Sequence, residues 1–525
     1  MDLKNKRIIG VSHIILCIAM LVLYTRIGGY GMIYVAGSIE LFFLITGIFL
    51  GGIPDAMEYM IRIRRKREQY KDAVKVQRAG VVYGIIGAVL TEAALLAVNE
   101  WLVAPSGLIY VYQLLRLFML AVPFYAALQV IRGLLQAELD RTFSGWSELV
   151  FAVFMIAATF CAVLLMGDYG SMAANFMQSV LLEYFYVLLG LVPGVIFGAL
   201  AAIIFLTVTG FLNRDKLHIF ERQSGVSKDS LAGLVWQLFT SQFMETAMQC
   251  LKRLPVVVLF WLSLEEISGE NYLFGNFYVA VLPVLYIAWT VCDLGLFSYK
   301  KRLFIYYRKK QPEQYYRDLK TVLSYVLIHS TAIAGFVLAM NKSYLAIWGQ
   351  QTFVSFMGLA AWSTFIGLLG LPCMVLIDIL KYRNLQAQAF CSVALGVLIS
   401  CICAIVGYKY WGAGVLLYVL CICVQMLITI IAASWCLSAA VGIHYLSVLI
   451  RTGGCIIITL LISLVLYGVQ RLIFTALGGL ATLLVCMALG MLLLFIAVLA
   501  LKVFDKEELK DLPLSFITGY LTKFF

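Results

Sequence analysis

KNKRIIGVSHIILCIAMLVLYTRIGGYGMIYVAGSIELFFLITGIFLGGIPDAMEYMIRIRRKREQYKDA, residues 4–73, holds in one stretch the pattern that decides the fold. Two apolar runs, at about 8–27 and 32–53, are each long enough to cross a bilayer as a helix of roughly 20 residues. Lys4, Lys6 and Arg7 precede the pair, and IRIRRKREQYKDA (61–73) follows it. Apolar runs whose cations collect on one side are what membrane insertion selects. The first run is too long for a signal-peptide core and lacks a small-residue cleavage site, so it reads as the first span.

Runs of spanning length recur at 79–99, 108–131, 147–166, 185–210, 236–263, 273–297, 321–340, 355–380, 388–407, 414–438, 453–470 and 477–501. The whole chain agrees with its first stretch. Of 525 residues, 63% are hydrophobic and 13% charged, against roughly 25% charged in soluble domains, and the mean hydropathy is +0.96. With the N-terminus inside, the cytoplasmic segments hold 32 Lys and Arg and the opposite loops 3. That asymmetry sets both termini in the cytoplasm of a cell-membrane protein. It also accounts for the net charge of +11 without nucleic acid.

The expected fold class is an all-α polytopic membrane protein of about fourteen transmembrane helices. Glu-Gln-Tyr follows a basic run at Glu68–Tyr70 and again at Glu313–Tyr315, an offset of 245 residues and six spans. An even number of spans makes the repeats parallel, as two six-helix lobes related by pseudo-two-fold symmetry about the membrane normal. The expected domains are 1–210 for spans one to six, 211–440 for spans seven to twelve, and 441–525 for two further spans with a cytoplasmic tail.

No phosphate loop, HExxH or GxSxG motif occurs. The polar loops reach only about 25 residues, too short for a nucleotide-binding domain. The chain is therefore read as not an enzyme. Its thirteen cysteines sit almost all in apolar runs and serve as small apolar residues rather than metal ligands. Charge within the spans is the informative signal, because an ionisable group there needs a partner or an aqueous cavity. Arg26, Glu40, Glu92 and Arg116 fall in the outward halves of spans one to four. Span seven carries Glu245, Lys252 and Arg253 in a stretch, Leu231–Leu264, too long for one upright helix. Either that stretch begins at the interface or it breaks near Pro255. Arg26, Arg116, Glu245, Lys252 and Arg253 are candidate substrate-binding residues; Glu40, Glu92 and Asp293 are candidate cavity or ion-coupling acids. The alternative, structural ion pairing, stays open for each, with Glu245 as the partner of Lys252. Asp293 and Asp378 lie near cytoplasmic helix ends and can snorkel. His13 and His329 read as hydrogen-bonded core histidines, and Glu265 and Glu266 as exposed acids.

The chain resembles the polysaccharide exporter branch of the multidrug/oligosaccharidyl-lipid/polysaccharide flippase superfamily, and within it the stage V sporulation protein B and lipid II flippase type. The likeness rests on Thr25-Arg-Ile-Gly-Gly-Tyr-Gly31, Gly51-Gly-Ile-Pro-Asp-Ala56, Gln69-Tyr-Lys-Asp-Ala73 and the tail Lys506-Glu-Glu-Leu-Lys-Asp-Leu-Pro513. It implies a flippase for polyprenyl-diphosphate-linked sugars that works by alternating access, with a basic cavity for the diphosphate. No cofactor is implied; coupling to Na+ or H+ is left open. Glycosyltransferases or polymerases of the same pathway are the expected partners of a monomer. Two rival functions are a multidrug exporter, expected to have twelve spans and an acidic cavity, and a membrane scaffold for polysaccharide synthesis.

On a cysteine-free background, single cysteines at 103–106, 268–271 and 348–351 should react with an impermeant reagent outside. Cysteines at 66–70 and 310–314 should react only after the cells are opened. Outside labelling of either basic loop overturns the orientation.

Overall fold

The structure is a computed structural model that describes residues 3–106, 109–139, 141–178, 180–217, 230–263, 275, 277–347, 354–411, 414–505 and 508. There are no strands among them. Helices are the expected answer, since a lipid-exposed backbone must satisfy its own hydrogen bonds. Eleven helices among the described residues are long and apolar enough to cross a bilayer, or twelve if a pair bent by 53° is one span. In its described part every apolar run read from the sequence is helix but for short turns at 51–52, 190 and 296 and a single end residue in two runs.

Packing divides the chain into two compact units, Met1–Val279 and Ala280–Phe525. The first contains α1 (Leu3–Leu50), α2 (Ile53–Lys66), α3 (Tyr70–Val98), α4 (Ile109–Phe118), α5 (Val122–Glu138), α6 (Arg141–Met177), α7 (Val180–Leu189), α8 (Leu191–Leu212) and α9 (Leu231–Ser263). The second contains α10 (Leu282–Gly295), α11 (Phe297–Arg308), α12 (Pro312–Ile347), α13 (Val354–Tyr382), α14 (Gln386–Trp411), α15 (Val415–Val441) and α16 (Tyr445–Ala500).

Helix α1 holds spans one and two, joined only by a break at Gly28 (φ 60, ψ −173). Helix α16 joins the last two spans through Gly478 (φ 73, ψ 178) in the same way. That backbone region is open almost only to glycine. The seventh span is not broken at its proline. Residues 231–263 form one helix with Pro255 inside it. At 33 residues it is about 50 Å long, and it packs on α1, α2 and α3.

The segments expected as cytoplasmic loops are mostly helix. Residues 54–78 are α2 and the start of α3, joined by 67–69 alone, and α5 reaches Glu138 just before α6 begins at Arg141. The two basic loops close with the same turn. Glu68 (φ 59) and Lys310 (φ 53) are left-handed. The amides of Arg67, Glu68 and Gln69 donate to the carbonyls of Ile63, Arg65 and Arg64; those of Lys309, Lys310 and Gln311 donate to Ile305, Tyr307 and Tyr306. The turns thus match at an offset of 242 residues, not the 245 that Glu-Gln-Tyr suggests. Glu68 is the left-handed residue of its turn, whereas Glu313 is already in the first turn of α12, so the tripeptides are not equivalent. The same turn also recurs at Asn384, between α13 and α14.

Close helix packing relies on small residues, as in other bilayer proteins. A Cβ on Gly198 of α8 would come within 2.8 Å of the Phe151 carbonyl oxygen on α6. In the second unit α16 lies along α12, burying Leu466 and Cys486 against Ala339 and Met340. Its Gln470 is hydrogen-bonded to the Ser343 hydroxyl at 2.8 Å. The tail docks on the same unit. The Glu508 carboxylate accepts hydrogen bonds from Arg451 and Thr321 and from the Asp505 amide at 2.8 Å, and Tyr299 donates to the Glu508 carbonyl at 2.7 Å. Burial alone would push the Glu508 carboxyl up, but those hydrogen bonds outweigh it and hold it below its usual range.

Gly28→Ala should cost about 1–3 kcal/mol, the strain of a side chain in that region. Gly167→Ala, inside α6 with open space around it, should be neutral or slightly stabilising. Thermal unfolding in detergent checks both, and an unchanged midpoint for Gly28→Ala contradicts the account.

Candidate functional site

Helix α9 brings Arg253 to Glu40 on the second span of α1. The Arg253 Nη1 donates to Glu40 Oε2 at 2.6 Å, and the Tyr278 hydroxyl donates to Glu40 Oε1 at 2.5 Å. Both carboxylate oxygens are therefore engaged. The Arg253 guanidinium also lies 5.6 Å from the Phe43 ring centroid. The Arg253 side chain is 42% exposed and that of Glu40 15%. Lys252, the next residue along α9, is exposed. The acid that neutralises Arg253 thus comes from another helix.

Of the other charges expected in the outward cluster, Arg116 is held away from this pair. Arg116 bonds Glu100 at 2.7 Å in an exposed ion pair and lies 4.5 Å over the Tyr112 ring, whose hydroxyl also donates to Glu100. Glu92 is half-buried on α3. The side chains of Arg26 and Glu245 lie outside the described residues, as do Glu265 and Glu266. His329 is a core residue as expected, stacked on Tyr325 with Nδ1 2.9 Å from the Tyr325 carbonyl oxygen.

Asp293 and Asp378 do not simply snorkel. They grip the ammonium of Lys300, which is 3% exposed, with Asp378 at 2.9 Å. Lys300 was counted among the loop cations. It is instead buried, because α11 turns back by 53° after Gly295 and carries it between α10 and α13. The first unit has a counterpart that sequence reasoning also missed. Glu58, equally buried, meets Arg141 Nε at 2.5 Å, Arg62 at 3.0 Å and the Gln136 amide at 2.5 Å. Around it Arg65 pairs with Glu138 at 2.5 Å, and Arg132 pairs with Glu148 at 2.5 Å. Glu58 and Lys300 each stand ten residues before the left-handed residue of their turn. Equivalent positions in the two units thus hold buried charges of opposite sign. The signal was available: a glutamate four residues before an arginine, and a lysine among tyrosines, both at the apolar end of a basic run.

No protein-family profile and no curated protein matches the chain. Solved structures do. One is a MATE family multidrug resistance transporter of the MOP superfamily in an inward-facing conformation, at 12% identity over 82% of this chain and 97% of that chain, with a TM-score of 0.62. Another is the lipid II flippase MurJ in an inward closed conformation, at 13% identity over 94% of this chain and 97% of that chain, with a TM-score of 0.59. A third is a MOP superfamily transporter from Pyrococcus furiosus, described by a binding pocket of reverse polarity, at 12% identity over 85% and 98%, with a TM-score of 0.54. The chain has the fold of MOP superfamily transporters.

The Glu40–Arg253 pair gives a direct test. Arg253→Ala leaves a partly buried carboxylate without its cation, and Glu40→Gln removes that carboxylate's charge. The double variant should be more stable than the two single losses added together, with a coupling of about 1.5–3 kcal/mol. Additive losses in thermal or denaturant unfolding show that the pair is not formed.

Proposed function

We propose that the protein is a flippase that moves a polyprenyl-diphosphate-linked oligosaccharide or cell-wall precursor across the cytoplasmic membrane by alternating access. The observation that carries the reading is the extent of the two likenesses. The lipid II flippase aligns with 94% of this chain and the MATE transporter with 82%. The 12% between them, of 525 residues, is close to the 56 residues of α16. A difference of that length is what two further spans would make, and it supports the likeness to a lipid II flippase over that to a multidrug transporter.

The charge within the first unit supports the same direction. A cationic drug would need a carboxylate with oxygens to spare, and those of Glu40 are both taken. A diphosphate needs cations, which Arg253 and Lys252 supply, the guanidinium by paired N–H donors.

In proteoliposomes, the protein should make a labelled polyprenyl-diphosphate sugar accessible on the opposite leaflet. Arg253→Ala should abolish the movement and Arg253→Lys should keep part of it. Glu40→Gln/Arg253→Ala, in which the ion pair is no longer a question, should stay inactive. Export of a cationic dye without movement of the lipid-linked sugar would assign the chain to drug export instead. Retention of full flux by the double variant would move the substrate site elsewhere.

A further inference from the structure

Arg141 of the first unit is held by the Glu58 carboxylate at 2.5 Å. Arg383 of the second unit, in the turn between α13 and α14, is held by aromatic rings. Its guanidinium carbon lies 5.3 Å from the ring centroid of Tyr307 and 5.2 Å from that of Tyr315. Its Nη1 is buried and finds no hydrogen-bond partner among the described residues. Two aromatic faces hold the guanidinium in place without neutralising it.

Arg383 lines a cavity of about 740 Å³ with Lys310, Tyr306, Tyr307, Tyr315 and Tyr316. The first turn of α12, Pro312 and Glu313, forms part of the same wall. A helix N-terminus there adds partial positive charge. The cavity lies in the segments that the cation count assigns to the cytoplasm, at the ends of spans eight to twelve. It offers two cations, tyrosine hydroxyls and a helix N-terminus against the single exposed carboxylate of Glu313.

We propose that Arg383 and Lys310 form a receptor for a phosphate group at the cytoplasmic edge of the second unit. The fork of Arg383 presents N–H donors to phosphate oxygens, and Lys310 adds a point charge at the rim. The phosphate is borne by a lipid headgroup or is free in the cytoplasm; the chemistry of recognition is the same. The site is independent of the cargo proposed above and stands whether or not that cargo is a lipid-linked sugar.

The test uses the full-length protein and two probes: radiolabelled inorganic phosphate in detergent, and nanodiscs of phosphatidylcholine with or without phosphatidylglycerol. At least one probe should bind or thermally stabilise the wild type. Arg383→Ala should weaken that binding about tenfold or more, the loss of a charge-assisted hydrogen bond. Lys310→Asn, which keeps a residue tolerant of the left-handed backbone, should weaken it a few-fold. Glu313→Gln should strengthen it, and Lys309→Asn, which does not line the cavity, should leave it unchanged. Glu313→Gln and Lys310→Asn keep the test decisive if Arg383→Ala does not fold. An effect of phosphatidylglycerol alone identifies the headgroup as the source, and saturable binding of inorganic phosphate identifies a soluble one. Absence of binding by both probes, or equal binding by the wild type, Arg383→Ala and Lys310→Asn, overturns the proposal.

Discussion

Glu58 and Lys300 are each about 3% exposed at the side chain, and partners from other helices hold each of them. A buried ion is costly unless groups of opposite charge and hydrogen-bond donors or acceptors surround it. Removing one partner of such a group costs about 3–5 kcal/mol, because the ion left behind stays buried. The consequence is geometric. Glu58 can be satisfied only if α2 lies against α5 and the start of α6, where Gln136 and Arg141 stand. Lys300 can be satisfied only if α11 folds back toward α10 and α13, where Asp293 and Asp378 stand. The helix ends beside the basic loops of each unit are thereby fixed against one another, while their apolar lengths are free to pack by shape.

The connections obey the same economy of unsatisfied groups. A long irregular loop would leave carbonyls and amides unpaired near the membrane, whereas a helix continued to its last residue and reversed in three does not. Left-handed residues at Glu68, Lys310 and Asn384 make that reversal, each with the amide two positions past the helix end reaching back to a carbonyl. Where no polar residues are available for a turn, glycine does the work. Gly28 and Gly478 let two spans follow each other with a single residue out of helical geometry.

Hydropathy and cation placement were enough to reveal the spans, because a run of about 20 apolar residues has few stable alternatives. The runs at 8–27 and 477–501 needed no partner to be recognised. The partners of the charges were a different matter. The sequence offers an acid for Lys252 on its own helix, Glu245, but none for Arg253, whose acid is Glu40, more than two hundred positions earlier and on another span. Nothing local in the sequence records that contact; it follows from the way α9 packs on α1. Lys300 was misplaced for a related reason. Its neighbours Lys301 and Arg302 made it look like one of a solvated run, and only its place on the inward face of α11 separates it from the exposed Lys301. The Glu-Gln-Tyr tripeptides suggest a repeat at 245 residues, whereas the turns that end α2 and α11 match at 242.

The inversion of charge between Glu58 and Lys300 has a further implication for how the two units came to differ. Each buried ion is satisfied by several groups at once, so no single substitution converts one arrangement into the other. A glutamate at position 300 would stand between Asp293 and Asp378, three carboxylates where like charges repel. A lysine at position 58 would face Arg62 and Arg141. The sign at this position and the signs of its neighbours must therefore change together. Arg141 has its carboxylate. Arg383, in the turn after α13, has two aromatic rings and a cavity instead. A guanidinium held by aromatic rings rather than by a carboxylate, at the edge of a membrane protein, is the group from which recognition of an external anion is most directly built.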